Sequence, residues 1–346
     1  MKDFLRHITF FILPFILLLI VYVAVDPFML FWKYDNLNNY YDNQRCVNDS
    51  YRAIRCMDLH EDSIVYDSFI IGSSRSEFYY IDEWKRYIGE DAQCIHFGQS
   101  NDNLLGTYQR ICYLDERYDE ISNVLIIMDS KYLSDVSAHK GHLFRQPWQV
   151  TGENDLMAFN VEFLRAFYSW DILKSSFSQQ SLLKNELSFE YNSIYNETYK
   201  VGAEQLIESN WNEYVGHIKD MFYKFYERNY TDSIADVAIH TEQYKLLQEL
   251  AEIMKRNHTV YRIVISPLYD QVQLNPNDLS VLHEIFGKEN VFDFSGVNEF
   301  TNEMTNYYET SHYRPKVCKE ILRIIYDGKK DTQGRLPTGT HRATLR

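Results

Sequence analysis

Nucleophilic acyl transfer is assembled from a hydroxyl, a base beside it and an acid that orients the base. This chain offers one of each, at Ser74, His312 and Glu309. Ser74 lies in the stretch Ser68 to Phe78, where an apolar run stops at Gly72 and passes into a two-serine turn. His312 lies in the late segment Tyr308-Glu309-Thr310-Ser311-His312-Tyr313-Arg314-Pro315, three residues after Glu309. The reaction also needs donors aimed at the developing oxyanion. The backbone N–H groups of Ser74 and Gly98 and the side chain of Asn101 are the candidates, and Arg75, beside the serine, is a candidate for binding an anionic substrate group. Each residue also has a plainer role when taken alone. A turn serine caps the helix that follows it, a loop histidine is a surface group, and Glu309 and Glu77 are solvated charges.

The elements that must position these residues follow from apolar periodicity. Strands are expected at Ser68 to Gly72, Cys94 to Phe97, Val124 to Met128, Val260 to Ser266 and Val291 to Phe294. Between them, helical spacing covers Glu77 to Ile88, Asn101 to Arg117, Thr241 to Lys255 and Asn277 to Phe286. Alternating strands and helices imply a parallel sheet whose right-handed crossovers collect the strand exits at one edge. Glu299 to Tyr307 reads as a further short helix, and Pro315 suits the first turn of a last one. From about 130 to 240 the pattern changes to helical and loop segments rich in Trp, Tyr and Phe, read as an insertion over the exit edge. Its aromatic residues are core at this spacing, with Trp148, Trp170 and Trp211 as candidates for lining a substrate site. The polar stretch from 328 to 346 is expected to be disordered.

The N-terminus bears on location. Lys2 and Arg6 precede a charge-free run from Ile8 to Val25, which at about 18 residues is long enough to span a membrane. Residues 1–27 are therefore read as an uncleaved anchor, and the basic residues on its short side place the body outside the cytoplasm. Residues 28–66 read as a juxtamembrane connector, in which the glycosylation sequon Asn48-Asp49-Ser50 is incidental, and 67–327 as one α/β domain carrying the insertion. In an oxidising compartment Cys46 and Cys56 could close a small loop, whereas Cys94 and Cys112 sit in apolar surroundings and read as core. The cysteine and histidine spacing suggests no metal site, and no cofactor is expected. A net charge of -14 argues against a nucleic-acid partner. An anion bound at the Ser73-Ser74 turn is a weaker alternative, since the turn lacks the glycines of a phosphate cradle.

Gly72-Ser73-Ser74 after the first strand, Gly98 after the second and Glu309-Thr310-Ser311-His312 before the last helix resemble the first, second and fifth blocks of the SGNH (GDSL-like) hydrolase superfamily. Phe292-Asp293-Phe294-Ser295-Gly296, Asn306-Tyr307-Tyr308 and Ser311-His312-Tyr313 resemble its membrane-anchored extracytoplasmic branch, related to alginate O-acetylation and teichoic acid D-alanylation proteins. The resemblance implies a flavodoxin-like three-layer α/β/α fold with a five-stranded parallel sheet. It implies an acyl esterase or O-acyltransferase acting on cell-envelope glycan, working alongside a multipass membrane O-acyltransferase. The pattern departs from the family at three places: Ser73 replaces an aspartate, Glu309 replaces an aspartate, and Met128-Asp129-Ser130 stands where an asparagine is expected. These departures leave open a second reading, a non-catalytic assembly or binding factor on the same fold.

Overall fold

The computed structural model describes residues 2–34, 48–169, 190–219, 224–226, 228 and 233–327. Its centre is a five-stranded sheet of β1 (Ser68–Gly72), β2 (Cys94–His96), β3 (Asn123–Met128), β4 (Val260–Ile265) and β5 (Val291–Asp293). The strands lie in the order β2-β1-β3-β4-β5, and every pairing is parallel. The chain steps from β1 outward to β2 and then returns to β3 on the other side. The exits of β1 and β3 therefore flank the point where the winding reverses, which is where open α/β sheets bind ligands.

The period of two along each strand divides the core. Phe69, Ile71, Val124, Ile126, Ile263 and Ile265 face one side of the sheet. There they pack with α2 (Asp49–His60), α4 (Leu104–Arg117), α8 (Thr241–Arg256) and α9 (Pro276–Phe286). Ile70, Leu125, Ile127 and Val264 face the other side, against α3 (Ile81–Ile88) and α10 (Pro315–Asp327). The insertion contributes α5 (Leu156–Phe167), α6 (Val201–Ser209) and α7 (Trp211–Ile218), the last two joining the second cluster through Ala203, Ile207, Tyr214 and Ile218.

The boundaries differ from the sequence expectation where side-chain capping decides them. The segment after the serine turn is not one helix from Glu77: a single 3-10 turn at Ser74–Ser76 precedes α3, which starts only at Ile81. Glu299 to Tyr307 divides into a short helix (Glu299–Asn302), a 3-10 turn and a strand. The stretch read as a connector contains α2, whose Tyr51, Ala53, Ile54, Cys56 and Met57 are buried. Asn48, 0% exposed, caps it by accepting from Tyr51 N at 2.9 Å. Its amide donates to His142 O and Arg145 O at 2.9 and 2.8 Å, so the sequon asparagine is a structural tie to the insertion. Cys56 is buried with its Sγ 3.2 Å from Tyr191 Oη. Cys46, Trp170 and the tail from residue 328 lie outside the described residues.

The insertion is not purely helical. It carries a hairpin, Glu190–Asn192 with Glu197–Tyr199, that extends the coverage of β2: His96 N donates to Tyr195 O, and Asn196 Nδ2 donates to His96 O. Glu197 in this hairpin is buried and accepts from Ile81 N at 2.6 Å, capping α3, and from Tyr199 Oη at 2.7 Å. Among the described residues one helix, α1 (Lys2–Val25), is long and apolar enough to cross a membrane.

Burial pushes the Glu197 carboxyl up to about 8, outweighing the two hydrogen bonds that favour its ionised form. Between its ordinary value of 4.5 and about 8 the folded chain holds a proton that the unfolded chain has released, so stability falls as pH rises through this window. Urea unfolding at pH 5 and pH 7 should show wild type losing up to about 3 kcal/mol more than Glu197→Gln. Parallel pH profiles for the two proteins would show that Glu197 does not carry the effect.

Candidate active site

The nucleophile candidate is placed by close packing at the end of β1. A Cβ on Gly72 would stand 2.8 Å from Ile127 O in β3, so only glycine lets the two strand exits approach this closely. Ser73 is extended and its Oγ faces Arg75 N at 3.4 Å, after which the 3-10 turn lifts Ser74 above the sheet edge. Two contacts hold the turn from beneath. Ser76 Oγ donates to Ser73 O at 2.7 Å, and His96 Nε2 lies 3.0 Å from Ser76 O. A carbonyl only accepts, so that nitrogen carries the proton. Burial lowers the His96 pKa to about 4, which keeps the ring neutral and makes it a fixed donor.

The base and acid come from a tight hairpin, β6 (Tyr307–Glu309) and β7 (His312–Tyr313), in which Glu309 and His312 are cross-strand partners. Their proximity is thus a product of antiparallel pairing, not of one helical turn. His312 Nδ1 hydrogen-bonds Glu309 Oε1, and Ser311 N donates to Glu309 Oε2 at 2.6 Å. His312 Nε2 lies 2.8 Å from Ser74 Oγ. With Nδ1 donating to the carboxylate, Nε2 is left to accept the serine proton. The hairpin is fixed on several sides. Tyr214 Oη donates to Tyr308 O, Tyr307 Oη donates to Pro267 O, and Tyr313 Oη contacts Ser266 and Tyr79. Arg314, which follows β7, pairs with Glu204 of the insertion.

Ser74 and His312 open into a cavity of about 440 Å³ that Arg75, Asn101, Lys131, Asp135, His139 and Phe144 also line. Gly98 lines a smaller adjoining cavity of about 220 Å³, which Ser74 also borders. The oxyanion candidates therefore fall on two sides of the serine, Gly98 on one and Asn101 on the other. Among the described residues neither the Ser74 nor the Gly98 N–H is taken up by a backbone carbonyl or side chain. Asn101 adopts a left-handed backbone with φ 50°. Arg75 lies on the cavity wall with its guanidinium paired to Asp129. Burial, the largest single influence, would lower its pKa, and the Asp129 carboxylate together with Tyr313 and Asp270 reverses this, so the net direction is upward. Trp148 and Trp211 line neither cavity: Trp148 packs in the cluster at the end of α1 and Trp211 in the second core cluster.

Sequence reasoning missed the opposite wall. His139 Nε2 lies 2.7 Å from Asp135 Oδ2, forming a second histidine–carboxylate pair that faces the same space. Burial would raise the Asp135 pKa, but hydrogen bonds from Ser137 and His139 bring it down to about 2, so the carboxylate is ionised. Asp102, also on the wall, is bound by the fully buried Arg110 and by Tyr132 Oη at 3.1 Å. A signal existed for Asp102, which follows the β2 exit, whereas Asp135 and His139 lie in the segment beyond the helical turn Ser130–Ser134 that follows β3. Among the described residues no group of three or more His, Cys, Asp or Glu is placed to hold a metal ion. No family model matches this chain, and no curated protein matches it.

The neutral His96 beneath the turn has a measurable signature. An unfolded histidine protonates near 6.5, whereas folded His96 resists until about 4, so stability falls as pH drops through that interval. Between pH 6.5 and 4.5 wild type should lose about 2–3 kcal/mol more than His96→Gln, which keeps a donor for Ser76 O and does not titrate. Equal acid sensitivity in urea melts of the two proteins would assign the loss to other groups.

Proposed function

We propose that this chain is a membrane-anchored, extracytoplasmic acyl esterase or O-acyltransferase of SGNH type, acting on cell-envelope polysaccharide. The observation that carries the reading is the unbroken hydrogen-bond chain from Ser74 Oγ through His312 to Glu309. A flavodoxin-like three-layer arrangement fits the reading, supported by the 2-1-3-4-5 strand order and by helices packed on both sheet faces.

In the proposed reaction Ser74 Oγ attacks the acyl carbonyl of a donor ester while His312 Nε2 takes the serine proton. The Ser74 N–H and the Gly98 N–H or Asn101 amide stabilise the oxyanion. Collapse of the tetrahedral intermediate breaks the ester bond, and the departing alcohol leaves with the proton from His312. This yields a Ser74 acyl-enzyme. Water or a glycan hydroxyl then gives its proton to His312 and attacks the acyl group, and the proton returns to Ser74 as the product departs. Glu309 keeps Nδ1 protonated throughout and stabilises the imidazolium. Water as acceptor makes the protein an esterase; a glycan hydroxyl makes it a transferase, and a multipass membrane O-acyltransferase is the partner class that would supply acyl groups.

A fluorophosphonate probe on the full chain in detergent tests the mechanism. Wild type should label on Ser74, Ser74→Ala should not label, and His312→Ala should label at least about 100-fold more slowly, with Glu309→Gln between the two. A folded wild-type protein that neither labels nor cleaves a small acetyl ester would leave the non-catalytic assembly factor as the better reading.

A further inference from the structure

The anchor helix is not a tether. Its last turn carries Tyr22, which is 3% exposed, with Leu18, Val21 and Val23 partly buried beside it, because the globular body packs against this end of the helix. Tyr22 contacts Phe31 and Phe167, with ring centroids 5.2 and 4.8 Å apart. Phe28, just past the helix, packs on Phe163 at 5.2 Å and on His142 at 5.4 Å. Helix α5 therefore lies against the exit of α1, with its C-terminal turn nearest the anchor and Phe159, at its other end, on Tyr51 of α2.

The exit itself is locked by Asp26. The residue is buried, has φ 42°, and its carboxylate accepts from Leu30 N at 2.7 Å, Phe31 N at 3.0 Å, Trp32 N at 3.2 Å and Tyr34 Oη at 3.0 Å. Trp32 Nε1 then reaches back to Val23 O at 2.9 Å. Several charge-assisted bonds to one buried carboxylate make a stiff corner.

Rigid attachment fixes which surfaces meet the bilayer. The 24 residues of α1 extend about 36 Å, slightly more than the hydrocarbon thickness of roughly 30 Å. Its C-terminal turn thus lies at the interface, and residues held beside that turn lie there too. These are Trp32, 52% exposed, Phe31, and Tyr168, 41% exposed. Tyrosine and tryptophan favour this boundary, since the ring is apolar and the polar end stays wet.

We propose that Phe31, Trp32 and the C-terminal turn of α5 with Tyr168 form an aromatic collar that docks the globular body directly onto the lipid surface. The collar rests on α1 being a membrane span and not on the proposed chemistry. It also sets the height of the cavity, because His142, packed against Phe28, is two residues from the cavity-lining Phe144. The Ser74 cavity is thereby held close to the bilayer and cannot swing away on a linker.

The test places p-benzoylphenylalanine at single positions in the full chain, reconstituted in phosphatidylcholine–phosphatidylglycerol vesicles, and reads lipid adducts by mass after irradiation. Phe11, 72% exposed on α1, reports the span; Tyr168 and Trp32 report the collar; Val260, 53% exposed at the opposite edge of the sheet, is the control. The expected result is lipid adducts at Phe11, Tyr168 and Trp32, at least tenfold above Val260. Adducts at Phe11 with none at Tyr168 and Trp32, or labelling at Val260 equal to theirs, would overturn the docked arrangement. No adduct at Phe11 would instead remove the span on which the collar rests.

Discussion

The hydrogen bond between Ser74 and His312 joins residues 238 positions apart, and most of the fold is a device for keeping its two ends in register. Such a bond contributes only about 1 kcal/mol, so it cannot gather the segments that make it. The gathering is done on either side. On the serine side, Gly72 lets β1 and β3 approach, and His96 holds the turn through Ser76 O. On the histidine side, a two-residue hairpin is clamped by tyrosines from the insertion, the strand exits and its own strands. The weak bond reads out the alignment of two stiff supports.

The ground between those supports is unusually polar for a buried place. Arg75 with Asp129 at the β1 and β3 exits, and Arg110 of α4 with Asp102 after β2, are taken largely or wholly out of water. A buried pair of charges costs desolvation that its mutual attraction repays only with good geometry and further hydrogen bonds. Here those bonds exist: Asp129 also caps the helical turn after β3 through Tyr132 N, and Asp102 takes bonds from Tyr132, Gln146 and Arg110. Asp129, after β3, thus has a defined task. It neutralises Arg75 and fixes the wall of the cavity, and the arginine's charge is directed inward at a carboxylate more than outward at an anion.

The sheet and its strand exits were legible because burial on both faces forces continuous apolar runs that stop at glycine or a polar turn. Ser68 to Gly72 and Val124 to Met128 are such runs, and their ends delivered Ser74 and Asp129. Helix α2 was not legible, since its mean composition is polar although Ser50, Tyr51, Ala53, Ile54, Cys56 and Met57 are buried. The Glu309–His312 pairing could be anticipated from spacing but not its cause, since a separation of three fits a helical turn and a two-residue hairpin equally. The Asp135–His139 pair was hidden for another reason. It lies in an irregular segment with no period to read, and only the tertiary position of that segment, folded back over the β1 exit, gives the pair a cavity to face.

Glutamate at position 309 is accommodated by the hairpin. Directly opposed residues on antiparallel strands hold their Cβ atoms about 4.5–5.5 Å apart, a short gap for a side chain with two methylenes. Glu309 must therefore fold back, and Ser311 N provides the reason that it stays folded, donating to Oε2 while Oε1 faces His312 Nδ1. Both oxygens are committed within one turn of chain, so the acid is preorganised by the backbone that carries the base. An aspartate here, one methylene shorter, would reach the imidazole only by giving up the Ser311 contact or by moving the strands. The length of the side chain and the tightness of the turn are thus matched to each other.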